Sequence, residues 1–189
     1  MNDLAVIKFF EELEPPESVR AELLRGEIVL SGSSDLVHNG NVMEAVDQIP
    51  REPWSRLQTQ CVDMLADVSA PVPDLVVIER GAGPDQGTYM PAEVVTALVE
   101  VVSKTSADRD YGVKRAMYAA SGVPVYLIID PIMAHCVLFT EPEGTGEEAE
   151  YQVQRTSKFG CPVPMEHLGI ELDTTGFGTF SNVKPHRRP

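Results

Sequence analysis

Val94-Val95-Thr96-Ala97-Leu98-Val99-Glu100-Val101-Val102 is an apolar, largely β-branched run with one acid in its last third. Its length and composition predict a strand covered on both faces of a central sheet. Taking a carboxylate out of water in such a place costs several kcal/mol unless a cation or metal compensates it. Glu100 therefore calls for a partner. Within Pro73 to Pro131, two residues could serve it. Asp74 opens a second apolar run, Pro73-Asp74-Leu75-Val76-Val77-Ile78, and Lys114 falls on a helix expected between Thr105 and Gly122. Two carboxylates at the ends of neighbouring strands, with an ammonium nearby, are the ingredients of a cation site.

Outward from this centre, Ser106 or Asp108 supplies the helix cap, and Gly122 with Pro124 supplies the stop. Val113, Ala116, Met117 and Ala120 form the expected buried stripe, with Lys114 and Tyr118 four apart on an adjoining face. Val125 to Asp130 reads as another buried strand, and Ala134 to Thr140 with Tyr151 to Thr156 as a hairpin. Its Glu- and Gly-rich connection, Glu141 to Glu150, reads as a solvated loop anchored by nothing apolar. Upstream, Leu4 to Leu13 is a short helix stopped by Pro15 and Pro16. Ala21 to Leu24 and Glu27 to Ser31 form a hairpin turning at Arg25-Gly26. Val42, Ala45, Val46 and Ile49 mark a helix ended by Pro50. Period-two alternation from Trp54 to Met64 predicts one strand, paired with the strand at Asp74. Arg80 to Met90, rich in Gly and Pro, predicts a mobile loop.

A chain of 189 residues with 43% hydrophobic residues suits one domain with a single core, placed at 1–183, followed by a basic tail, 184–189, expected to be disordered. The longest apolar run is too short to span a bilayer, and the first residues lack the pattern of a secretory signal. A soluble, cytoplasmic protein with no membrane partner is expected. Cys61, Cys136 and Cys161, without a Cys-x-x-Cys pair, argue against a disulfide framework or a structural zinc and are expected to be buried thiols. A net charge of −14 opposes non-specific nucleic-acid binding, although a local groove holding a divalent ion can still attract phosphates.

Pro73-Asp74, then Glu100-Val101-Val102-Ser103, then Asp110-Tyr111-Gly112-Val113-Lys114-Arg115, then Tyr118-Ala119-Ala120-Ser121-Gly122-Val123-Pro124-Val125-Tyr126 and Ile129-Asp130-Pro131 carry a resemblance. In that order they resemble the Uma-two family of bacterial endonucleases, within the PD-(D/E)XK restriction-endonuclease-like superfamily. Arg20 to Val29 and Leu168 to Asp173 extend the match over most of the chain, with its weakest part between Gly40 and Ala70. The resemblance implies an α/β fold, restriction-endonuclease-like, with a central mixed β-sheet flanked by helices and extra N-terminal and C-terminal β-hairpins.

It also implies a metal-dependent endodeoxyribonuclease using Mg²⁺ or Mn²⁺, ligated by Asp74, Glu100 and the backbone carbonyl of Val101, with a Lys acting on the attacking water. The superfamily's Lys stands two residues after the Glu, where this chain has Val102. The resembling family supplies it from the following helix, here Lys114; Lys104 is the rival, since strand alternation puts residues 100, 102 and 104 on one side if the strand runs that far. Glu22 matches a recurrent acidic position near the site, and its bland reading is an exposed strand charge. His38 stands where such proteins often carry a His, against the plainer reading of a surface residue at a helix start. Tyr118 shares the face of Lys114. DNA is the implied partner, and pairing of double-strand cutters is compatible with a homodimer, without an interface signature here. The alternative is a catalytically silent member of the same fold, a binding or regulatory module whose acidic surface meets a protein partner.

Overall fold

The computed structural model describes residues 3–188. The run at Val94 becomes a strand, Val95–Val101, inside a six-stranded mixed sheet. In chain order the strands are β1 (Arg20–Leu24), β2 (Glu27–Ser31), β3 (Trp54–Leu57), β4 (Cys61–Asp63), β5 (Leu75–Glu79), β6 (Tyr89–Pro91) and β7 (Val95–Val101). They continue with β8 (Val125–Asp130), β9 (His135–Glu143), β10 (Glu150–Lys158), β11 (Val163–Met165) and β12 (Ile170–Leu172). The helices are α1 (Asp3–Glu11), α2 (Leu36–Gln48), α3 (Ala107–Arg109) and α4 (Arg115–Ala120). Between the last two lies a π-helical segment, Asp110–Lys114. The main sheet runs β10-β9-β8-β7-β5-β3, with β7 and β8 parallel and the other neighbours antiparallel. The N-terminal hairpin β1-β2 and the C-terminal hairpin β11-β12 stand apart as two-stranded sheets, and β4 pairs with β6. This is the mixed α/β architecture expected.

Alternation along the central strands divides the core. Val76, Ile78, Leu98, Val102, Tyr126 and Ile128 face the crossover helix, residues 107–120. Leu75, Val77, Ala97, Val99, Leu127 and Ile129 face α2 and β11-β12. Because β5 runs antiparallel to β7 with Leu75 opposite Val99, the start of one strand meets the end of the other. Asp74 and Glu100 are thereby brought to one end of the sheet, on the side of the crossover helix.

Several local expectations change. Trp54 to Met64 is not one strand: β3 pairs with β5 as expected, but Thr59 adopts a left-handed φ of 52° and the chain turns away to pair β4 with β6. The crossover helix buries Tyr111, Lys114, Met117 and Tyr118, while Val113, Ala116 and Ala120 of the expected stripe are only half-buried. Lys114 and Tyr118, expected on a face adjoining the stripe, are here part of the inward one. The acidic connection is shorter than expected, because β9 and β10 extend to Glu143 and Glu150 and Ala149 is fully buried beneath it. Arg25 also donates to the Gly146 carbonyl at 2.8 Å. Of the cysteines, Cys136 is buried, Cys61 half-buried and Cys161 exposed in the turn after β10. The described part of the basic tail, residues 184–188, has no helix or strand, yet His186 and Arg188 contact Asp130 and Asp108. No described helix is long and apolar enough to cross a membrane.

Candidate active site

A cleft of about 480 Å³ opens at the end of the sheet where β5 begins and β7 ends. Asp74, Glu100, Lys114, Glu22, His38 and Lys104 all line it. The first five are buried, with Glu100 and Lys114 each at 2% exposure. The strand geometry delivers Asp74 and Glu100, the crossover helix delivers Lys114, β1 delivers Glu22, and α2 delivers His38.

Two clusters of contacts share this space. In the first, Glu100 Oε1 accepts from Lys114 Nζ at 2.7 Å and from the Tyr118 hydroxyl at 2.8 Å. Lys114 Nζ also lies 2.9 Å from Glu22 Oε1, which accepts the Val72 N–H. Glu22 is therefore not an exposed strand charge. Glu100 Oε2 has no hydrogen-bond partner among the described residues, and Glu100 lines the cleft. In the second, Asp74 Oδ1 accepts from Arg20 at 3.2 Å, and Oδ2 accepts the Val101 N–H at 2.9 Å and meets His38 Nε2 at 3.0 Å. His38, whose plainer reading was a surface residue, is 5% exposed and is a hydrogen-bond partner of Asp74. Asp35 caps α2 one turn earlier by accepting the Val37 N–H.

Lys104 sits apart from both clusters. β7 stops at Val101, so strand alternation does not carry it to Glu100. It pairs with Asp35 at 2.8 Å at the rim, half exposed, with its ammonium 5.0 Å from the Phe180 ring centre.

Two cleft residues escaped the sequence reading. Arg20 lies two before Glu22 on a strand and so shares its face, and Asp110 lies four before Lys114 on a helix. Both spacings were visible. Asp110 is 2% exposed and accepts a hydrogen bond from the Ser106 hydroxyl. Ser106, expected as a helix cap, makes no such bond; it accepts the Ser103 N–H instead.

The electrostatics follow from crowding acids in a dry place. Burial pushes Glu100 up to about 8, with Lys114 opposing and Asp74, Asp110 and Glu22 adding to the rise. Burial likewise lifts Asp110 to about 6 against the pull of Lys114. Burial would also raise Asp74, but the His38 hydrogen bond and charge, Arg20 and the Val101 N–H overcome it and bring it down to about 2. Lys114 loses by burial and gains more from Glu100, Glu22 and Asp110, so it stays charged. His38 is raised by Asp74 despite burial. Tyr118 is held protonated by burial and by Glu100.

Among the described residues no three His, Cys, Asp or Glu side chains form a ready-made metal cage. The donor chemistry nevertheless fits a hard divalent cation, which binds through one or two carboxylates and keeps its remaining positions for water and phosphate. Four buried carboxylates, Asp74, Glu22, Glu100 and Asp110, crowd around Arg20, Lys114 and the titratable His38, with Asp35, Lys104 and Arg109 also in the cleft lining.

Comparison with known proteins gives two findings. A family model described as Uma2, "Putative restriction endonuclease", matches residues 7–173. The crystal structure of "a putative nuclease belonging to DUF820" from Anabaena variabilis superposes with a TM-score of 0.69 at 15% identity, covering 90% of this chain and 96% of that one. Its likeness is one of fold. No curated protein matches the sequence.

Proposed function

The chain belongs to the Uma2 family, described as putative restriction endonucleases, and from that premise we propose that it hydrolyses phosphodiester bonds of DNA with Mg²⁺ or Mn²⁺ held by Asp74 and Glu100. The observation that carries this reading is the convergence of Asp74 and Glu100, from the start of one strand and the end of its neighbour, on one cleft that Lys114 also lines. A divalent cation bound there would polarise the phosphoryl oxygen and make a bound water acidic.

The chain's own residues would do the rest. Asp74 is already held ionised by its partners, and a cation beside Glu100 would draw its raised pKa back down. In an antiparallel pair the N–H and C=O of one residue face the same neighbour, so Val101, whose N–H meets Asp74, would turn its carbonyl to the same side as a third oxygen. Lys114, fixed by Glu22 and Glu100, would orient the attacking water and stabilise developing charge. Tyr118 holds the Glu100 carboxylate in its rotamer. Arg20 and His38 hold that of Asp74. Lys104, at the rim, is placed to meet a neighbouring phosphate rather than the reacting one.

Isothermal titration with Mn²⁺ and Mg²⁺ tests the reading. Binding is expected in the wild type, weaker by tenfold or more in Asp74→Asn and Glu100→Gln, with plasmid cleavage lost in Lys114→Met that still folds by circular dichroism. No binding, or binding untouched by both substitutions, overturns it. A second reading, a silent binding or regulatory module meeting a protein partner, is favoured by the completeness of the ion pairs: Arg20, His38 and Lys114 already hold their acids without a metal. It predicts no cleavage of single-stranded, duplex or branched DNA at any Mn²⁺ concentration.

A further inference from the structure

The C-terminal segment leaves the cleft and is pinned again beside the helix that carries Lys114. Phe180 lines the cleft and donates its N–H to the Pro131 carbonyl at 3.1 Å. Further on, His186 Nε2 lies 2.6 Å from Oδ2 of the fully buried Asp130, with its ring 5.4 Å from that of Tyr111. The Tyr111 hydroxyl donates to the same oxygen at 2.9 Å, and Asp130 Oδ1 accepts the N–H groups of Ile132 and Met133. Arg188 Nε donates to Asp108 Oδ1 at 2.9 Å. Asp108 and Tyr111 bracket Arg109 and Asp110, both of which line the cleft. The segment is thus a strap fastened at Phe180, His186 and Arg188.

Lys184 and Arg187 are exposed, and among the described residues neither they nor Arg109 is in an ion pair. Lys184 and Arg187 flank the pinned His186, and Arg188 is tied to Asp108, the neighbour of Arg109 in the cleft lining, on a chain whose net charge of −14 otherwise repels polyanions. Lys and Arg fixed at the side of a cleft suit phosphate oxygens, which they meet by charge without reading bases.

We propose that the strap presents Lys184 and Arg187, together with Arg109 of the cleft lining, to the phosphate backbone flanking the scissile bond of a nucleic acid; this rests on the nuclease reading. The contacts are sequence-independent, and they supply the affinity that the acidic remainder of the surface withholds.

Fluorescence anisotropy with a labelled DNA duplex, measured over a salt series in Ca²⁺, tests it. Each lost phosphate contact removes about 0.9 from the slope of log affinity against log salt. Lys184→Ala/Arg187→Ala should therefore flatten the slope by about 1.8 and weaken binding at low salt roughly tenfold. His186→Ala, which keeps both charges and removes the pin, should also weaken binding. Arg51→Ala/Arg80→Ala, an equal charge change at the far end of β5, should leave slope and affinity unaltered. A double strap variant with the wild-type slope overturns the proposal and leaves the nuclease reading intact. A wild type that binds no duplex even at low salt overturns both.

Discussion

Lys114 is a single ammonium serving two carboxylates at hydrogen-bond distance, with a third, Asp110, in its field. Its removal would leave Glu22 and Glu100 buried without a cation, and breaking a buried pair in this way costs about 3–5 kcal/mol. The penalty depends on pH. Glu100 is raised from 4.5 to about 8, so the native state holds a proton there that the unfolded chain has lost, and stability falls as pH rises through that window. Asp110, raised from 3.8 to about 6, acts in the same sense. Asp74, lowered from 3.8 to about 2, acts oppositely: its contribution is present above 3.8 and lost as pH falls toward 2. In urea unfolding without divalent ions, the wild type is expected to be more stable at about pH 5 than at about pH 8. Glu100→Gln should flatten that difference, and Lys114→Met should lose more at the higher pH. A Lys114→Met penalty independent of pH would show that Glu100 does not take up the proton.

At the scale of elements, the crossover helix is where sequence and structure part most usefully. Hydrophobic period identifies a helix between Thr105 and Gly122, and a helix is present; it does not reveal the π-helical turn at Asp110–Lys114, because one inserted residue alters backbone register without changing which residue types are used. That turn brings Asp110 and Lys114 to the cleft together. Deletion of Gly112 should restore α-helical register, turn Asp110 and Ser106 away from Lys114, and lower the cleavage rate by about a hundredfold, as misplacement of a catalytic group by about 1 Å does. Gly112→Ala is the control: a Cβ there meets nothing within 4 Å, and Ala in a helix is favoured over Gly by about 0.5–1 kcal/mol. It should keep activity and raise the melting temperature. Equal activity in both variants would strip the turn of its role.

For the whole molecule, that Asp74 and Glu100 meet at one end of the sheet was legible because each stands at the end of a strongly patterned apolar run, whereas Lys114 came from the family resemblance and not from a local pattern. The central strands were legible for the same reason, as apolar runs bounded by turn residues. The left-handed turn at Thr59 and the inward face of the crossover helix were not, since both are decided by tertiary pairing rather than by local propensity. Arg20 and His38 were harder still: they matter through contacts with Asp74 spanning 54 and 36 residues. One further property follows from the opposed directions of β5 and β7. Since Asp74 and Glu100 stand where β5 starts and β7 finishes, the exposed loop that joins these strands by way of β6 lies at the other pole. Gly83 is pressed against Ile78 and Met90 and should stay in place, but Asp85 and Gln86 are open to solvent. A peptide tag spliced between them would give a handle for surface tethering or dye labelling, with melting temperature and cleavage rate expected to match the untagged protein. Impaired turnover in the tagged chain would mean that the two poles communicate.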